Sequence, residues 1–147
     1  MIDADPRRRA AEHYPRLRHL RLKYSDQDLP GVVGGIAIAR LFEEGRYTIR
    51  SAINHPQARA SHIGFVLARV RIDLVEPVAY PGEVCVAIAV GRVGRTSYDY
   101  VSALFQNGIC VALSDATVAV RDRRSGTGCV LDASFHEALA PLLFDWQ

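Results

Sequence analysis

Residues 36–53 constrain this chain most. Ile38, Leu41, Phe42, Gly45, Ile49, Ala52 and Ile53 recur every three or four residues, which places them on one side of a helix. Arg40, Glu43, Glu44, Tyr47 and Arg50 fall on the other side. Asn54-His55-Pro56 closes the helix, because the residue before a proline disfavours helical backbone. An apolar stripe of this length has to be buried, and nearly everything from Phe65 to Val120 is patterned as strand. One long helix lying across one face of an antiparallel sheet, an α+β arrangement, is the expectation.

The flanking segments complete that outline. A first strand is expected over 17–24, where Leu17, His19, Arg21 and Lys23 alternate with Arg18, Leu20, Leu22 and Tyr24. Ser25-Asp26-Gln27-Asp28-Leu29-Pro30-Gly31 is dense in turn formers and ends it. After the helix, Val66, Ala68, Val70, Ile72 and Leu74 are expected on one face of a strand, with Arg69, Arg71 and Asp73 on the other. The segment from Glu76-Pro77 to Pro81-Gly82 reads as a turn into the next strand. Val84–Val90 is continuously apolar, as a strand covered on both faces would be. A turn at 92–96, a strand over 97–106, an Asn107-Gly108 hairpin and a strand over 109–120 follow. Phe135, Leu139 and Leu142 suggest a short helix over 133–143. Residues 1–15 read as a polar, partly mobile tail, and residues 16–147 as one domain.

Composition excludes several classes of function. A net charge of +2 is too small to suggest nucleic-acid binding, and no stretch approaches the roughly 20 apolar residues of a membrane span. Met1–Arg9 has no hydrophobic segment behind it and does not read as a secretory signal. Cys85, Cys110 and Cys129 are odd in number and widely spaced, which fits neither a disulfide framework nor a zinc site and suggests the cytoplasm. There is no Gly-x-Ser-x-Gly, His-Glu-x-x-His or Cys-x-x-Cys, so no metal ligands are expected. His19, His62 and His136 have no partner at catalytic spacing.

Over residues 21–46 the sequence resembles acyl-CoA thioesterases of the 4-hydroxybenzoyl-CoA thioesterase type. Their pattern is a strand, then Asp-x-Asp-x-x-Gly-His-Val-Asn-Asn, then a helix with Phe/Leu-Glu-x-Ala-Arg. Asp26, Asp28, Gly31, Val33, Phe42, Glu43 and Arg46 fall at matching positions. Later features agree as well: the Glu76-Pro77 turn with Pro81-Gly82-Glu83, Ser97 early in a strand, and Asn107-Gly108. The likeness spans about residues 17–125. It departs at Val32, where the pattern has His, at Gly34 and Gly35, where it has Asn, and at Ile38 or Ala39, where it has an aromatic residue.

The resemblance implies a hotdog fold, in which a five-stranded antiparallel sheet wraps one central helix. It implies hydrolysis of an acyl-CoA thioester, with coenzyme A as part of the substrate and no other cofactor. It also implies self-association edge to edge, as a dimer or tetramer with active sites at the subunit boundary. Asp28 takes the position of the catalytic carboxylate, acting either as base toward water or as nucleophile. Glu43 is a second candidate carboxylate, although Arg40 and Arg46 on either side offer it an ion pair instead. Gly34, Gly35 and Ile36 open the helix, where backbone N–H groups and the positive end of the helix suit a developing oxyanion; Gly31 completes that substrate-contact set. Asp26 reads as a structural turn residue. Ser97, Arg92, Arg95 and Arg121 are the candidates for coenzyme A.

Two other functions stay open. A non-catalytic acyl-CoA or acyl-carrier-binding protein fits the loss of the pattern's His and Asn residues. A hydratase or dehydratase would need a His near an Asp or Glu, and the nearest hint, His55-Pro56, falls after the helix, where neither pattern would place it.

Overall fold

Helix α1, Gly35–Ala52, is the element around which the rest is arranged in the computed structural model, which describes residues 5–147. Its buried residues are Ile38, Leu41, Phe42, Gly45 and Ile49, the expected stripe. Fully burying a Leu, Ile or Phe side chain is worth about 1.5–3 kcal/mol, so this stripe alone fixes the helix to the sheet. Gly45 sets the distance: a Cβ built there would lie 2.4 Å from Val86 Cγ1.

Strands β1 (Arg16–Arg21), β4 (Ile63–Leu74), β5 (Glu83–Val93), β6 (Ser97–Gln106) and β7 (Ile109–Asp122) form one antiparallel sheet in the order β1-β5-β6-β7-β4. A small hairpin, β2 (Gln27–Leu29) with β3 (Val32–Val33), stands just before α1. Helix α2 (Pro56–Arg59) follows α1, and α3 (Ala133–Leu139), continued by a 3-10 turn over Ala140–Leu142, lies near the C-terminus.

Central strand β5 is covered on both faces, as its unbroken apolar run implies. Val84 and Val86 pack with Leu41 and Phe42, and Ile88 and Val90 pack with Ile49, Phe135 and Leu139. On the opposite face Ala87 and Ala89 meet Tyr14, Leu113 and Phe144. Asn107 and Gly108 take positive φ values of 52° and 76°, closing the β6–β7 hairpin as their sequence demands.

Three expectations change. The segment 75–82 does not fold β4 back onto β5; β4 pairs with β7, and the segment crosses the end of the sheet. The Val75 and Glu76 N–H groups donate to the Val111 carbonyl, and the Gln106 side chain brackets Ala79, accepting its N–H at 2.9 Å and donating to its carbonyl at 2.7 Å. The crossing then meets the small hairpin through Val33 N–H to the Val78 carbonyl, which holds the loop that carries Asp28. Second, a register shift between Leu67 and Arg69 breaks the simple alternation of β4, and Val66, Leu67, Val70 and Leu74 are all exposed on this edge strand.

The third change concerns the expected tail. Residues 1–4 lie outside the described residues, but Pro6–Arg9 and Ala11–His13 form 3-10 turns against the sheet. Arg8 is 4% exposed, donating from Nη2 to Asp115 Oδ1 at 2.8 Å and to the Ser114 carbonyl at 3.2 Å. The buried Tyr14 hydroxyl donates to the Arg8 carbonyl. A polar residue with partners this distant in the chain leaves no local pattern.

Candidate active site

Asp26 builds the turn that precedes α1. Its buried carboxylate accepts the Lys23 N–H at 2.7 Å and Arg40 Nη2 at 2.9 Å, and its carbonyl accepts the Gly34 N–H at 2.9 Å. This is the structural role its position suggests. Gly31, at φ 79°, turns the hairpin and donates its N–H to Gln27 Oε1 at 2.7 Å. It does not line the cavity described next.

Asp28 follows from this scaffold. It projects from β2 directly over Gly34, so that a Cβ at Gly34 would lie 2.9 Å from its Cβ, Cγ and Oδ2 atoms. Among the described residues its carboxylate has no hydrogen-bond or ion-pair partner. Gly34 is the N-cap of α1 and supplies no side-chain cap; the first intrahelical bond runs from Ile38 N–H to the Gly34 carbonyl. The N–H groups of Gly35, Ile36 and Ala37 therefore stay open at the positive end of an 18-residue helix.

These groups converge on a cavity of about 380 Å³, lined by Ser25, Asp28, Gly34, Gly35, Ile36, Ala37 and Arg40 among others. Gly34 is an expected amide donor, but its N–H is committed to Asp26; its contribution is the space its missing side chain leaves for Asp28. Ala37 supplies the third open donor. Only the helix start fixed by the Ile38–Gly34 bond identifies it, since alanine itself carries no signal. Ile36, 91% exposed, and Tyr24 give the surroundings an exposed apolar character.

The other candidates lie elsewhere within the chain. Glu43 is two turns further along α1, in a separate groove of about 260 Å³ with Arg46, Tyr47, Arg50, Phe65 and Tyr100. Neither Arg40 nor Arg46 pairs with it among the described residues; Arg40 is taken by Asp26. Arg92, Arg95, Ser97 and Arg121 gather at the other end of β5. Arg92 Nε donates to Asp99 Oδ2 at 3.1 Å and Arg121 Nη1 to the Gly126 carbonyl at 3.2 Å. The Arg95 and Ser97 carbonyls accept the N–H groups of Leu131 and Gly94. His55 lies past the end of α1, accepting the Gln57 N–H on Nδ1 and contacting Ser134 Oγ at 2.7 Å through Nε2. No histidine lines the Asp28 cavity among the described residues.

The arrangement can hold a carbonyl oxygen on backbone amides while a carboxylate faces the carbon. The architecture around it, five antiparallel strands packed on one long helix, is the hotdog fold. Neither a protein-family model nor a curated protein matches the chain. Solved structures do. The PA5185 protein from Pseudomonas aeruginosa strain PAO1 is similar with a TM-score of 0.79 and 22% identity, over 93% of this chain and 97% of its own. A thioesterase from Thermus thermophilus, complexed with coenzyme A and Zn, gives a TM-score of 0.77 and 21% identity over 89% and 96%. A predicted thioesterase from Bacillus stearothermophilus gives 0.78 and 19% over 89% and 98%. At these identities the likeness establishes the fold.

Proposed function

We propose that this chain is an acyl-CoA thioesterase of the 4-hydroxybenzoyl-CoA thioesterase type, with Asp28 as its catalytic carboxylate. The observation that carries this reading is the unpartnered Asp28 carboxylate seated on Gly34 beside three open amides of α1. The thioester oxygen would rest on the Gly35, Ile36 and Ala37 N–H groups, where negative charge develops as the carbonyl is attacked. In a well-studied protease one such donor is worth about 3–4 kcal/mol to the transition state. Asp28 either takes a proton from the attacking water or attacks the carbonyl carbon itself, forming a mixed anhydride that water then opens. In both routes the carbon–sulfur bond breaks, the sulfur leaves with its electron pair, and the products are the free acid and coenzyme A.

Among the described residues strand β4 pairs only with β7, so its outer edge presents unpaired backbone groups beside exposed Val66, Leu67, Val70 and Leu74. An exposed apolar edge strand is a liability unless covered. A second copy of the chain pairing along β4 would cover it and bring Glu43 and its groove toward the subunit boundary. Arg92, Arg95, Ser97 and Arg121 keep the role of holding coenzyme A phosphates in this reading, across the assembled surface. No disulfide joins Cys85, Cys110 and Cys129 among the described residues, which agrees with a reducing, cytoplasmic setting. No described helix is long and apolar enough to cross a membrane.

The test is turnover of a panel of acyl-CoA thioesters, with released thiol measured for the wild type and Asp28→Asn. The expected result is hydrolysis by the wild type and a loss of at least about a hundredfold in kcat for the variant, the scale of general acid–base catalysis. An acyl-CoA that raises the melting temperature while no thiol is released would instead identify the non-catalytic binding protein, the reading favoured by Val32, Gly34 and Gly35 at the pattern's His and Asn positions.

A further inference from the structure

Arg46 is a half-buried cation with no ion-pair contact among the described residues. Its side chain lies half-buried between α1 and the β6–β7–β4 part of the sheet, and burial pulls its pKa below the usual arginine range, opposed by the charge of Glu43 one turn earlier. Among the described residues its guanidinium has no hydrogen-bond partner and no carboxylate within ion-pair distance. Its neighbour Arg50 is already engaged, with Cζ 3.9 Å from the Phe65 ring centroid and Nη2 donating to the Ala58 carbonyl at 2.6 Å. Phe65, Leu67 and Val118 form apolar walls, and Tyr100 lies alongside. A partly desolvated charge left unpaired costs folding free energy, and a bound anion would offset that cost.

We propose that this groove binds an anionic group of the thioester substrate on Arg46. The proposal rests on the thioesterase reading above and adds a substrate class to it. Two sources share this chemistry: a carboxylate at the far end of the acyl group, and a phosphate of coenzyme A. The volume of about 260 Å³ equals roughly nine water molecules of liquid. That space and its apolar walls favour a carboxylated acyl end over a nucleotide. Arg46 lies nine residues past Ala37, about 14 Å along α1, so for an acyl chain as short as glutaryl the Arg46 engaged is that of a second copy of the chain.

The experiment compares the wild-type chain with Arg46→Gln and Arg46→Lys on glutaryl-CoA, hexanoyl-CoA and the N-acetylcysteamine thioester of glutarate. The expected result for Arg46→Gln is a KM increase of about tenfold or more for both glutaryl thioesters, with hexanoyl-CoA unchanged and partial recovery in Arg46→Lys. An increase confined to the two CoA esters would assign the anion to coenzyme A and still support the site. Unchanged KM values for all three substrates in a folded variant overturn the proposal, as does weaker self-association with KM unchanged, which would assign Arg46 to a contact between copies. Calorimetric titration with glutarate separates this idea from the one it rests on. Glutarate affinity that is lost in Arg46→Gln, in a protein that hydrolyses no thioester, upholds the anion site and refutes the thioesterase reading. Hydrolysis of hexanoyl-CoA with glutarate affinity unaltered by the substitution refutes the anion site alone.

Discussion

Replacing Gly34 by alanine separates chemistry from folding better than any other single change in this chain. Gly34 has φ −79° and ψ 162°, a conformation open to any L-residue, so the backbone is not strained by the substitution. The new methyl group would lie 2.9 Å from Cβ, Cγ and Oδ2 of Asp28, whereas non-bonded atoms of this kind rest about 3.5–4.0 Å apart. Asp28 must therefore retreat by roughly 0.6–1.1 Å. Its side chain is exposed and can move at little cost to the fold. Loss of a glycine N-cap adds at most about 1 kcal/mol, or about 2–4 °C in melting temperature for a chain of this size. Catalysis is less forgiving, since a displacement of about 1 Å can cost about a hundredfold. The expected outcome is a fall in kcat of about ten- to a hundredfold with a melting temperature within about 4 °C of the wild type. Thiol release and a thermal melt on one preparation read both quantities. A stably folded Gly34→Ala variant with undiminished kcat would refute the proposed placement of Asp28 at the reacting carbon.

Gly45→Ala should behave in the opposite manner. The helix-propensity gain of about 1 kcal/mol meets a contact of 2.4 Å with Val86 Cγ1, and overpacking typically costs about 1–3 kcal/mol. A net drop of several degrees in melting temperature is expected, partly relieved in a Gly45→Ala/Val86→Ala double variant; a more stable single variant would show that α1 is not held this close to β5. Asp5 carries a pH signature of the N-terminal packing. Hydrogen bonds from Arg7, first from its side chain and then from its backbone, hold the Asp5 carboxyl at about 2, below its ordinary 3.8. A carboxyl with a lowered folded-state pKa contributes stability that is present above the unfolded value and lost as pH falls through the folded one. The melting-temperature difference between wild type and Asp5→Asn should therefore be constant above about pH 5 and shrink toward pH 2; a difference that does not vary with acid would mean the Asp5–Arg7 pair does not form in solution.

The sequence was most legible where structure is made locally. The α1 stripe, the Asn107-Gly108 turn and the doubly covered β5 each follow from spacing or from backbone preferences within a dozen residues. Partner choice was not legible. Glu76–Gly82 carries genuine turn residues, but they show only that the chain changes direction, and the bonds that route the segment across the sheet go to Val111, Gln106 and Val33. Arg8 is the same problem in reverse. Three consecutive arginines normally signal solvent, and one of them is buried because Asp115, 107 residues away, waits on the sheet to receive it.

The candidate site divides along the same line. Asp28, Gly34 and Gly35 stand together because they are neighbours in sequence, and a turn leading into a helix N-terminus brings such neighbours to one point whatever the rest of the chain does. Glu43, Arg46, Arg92 and Arg121 are polar residues on regular elements and Arg95 sits in the turn between β5 and β6, so their positions depend on how elements pack and on what covers the β4 edge. Within one chain, Glu43 and Arg46 face a groove of their own, while Asp28 faces the helix start. A helix of this length has two functional ends only if something joins them. An acyl group entering at the open amides and running toward Arg46, or a second copy bringing its own Arg46 alongside Asp28, would do so. Both arrangements require the half-buried guanidinium to be useful to a ligand, which is why its loss should register in KM for charged substrates.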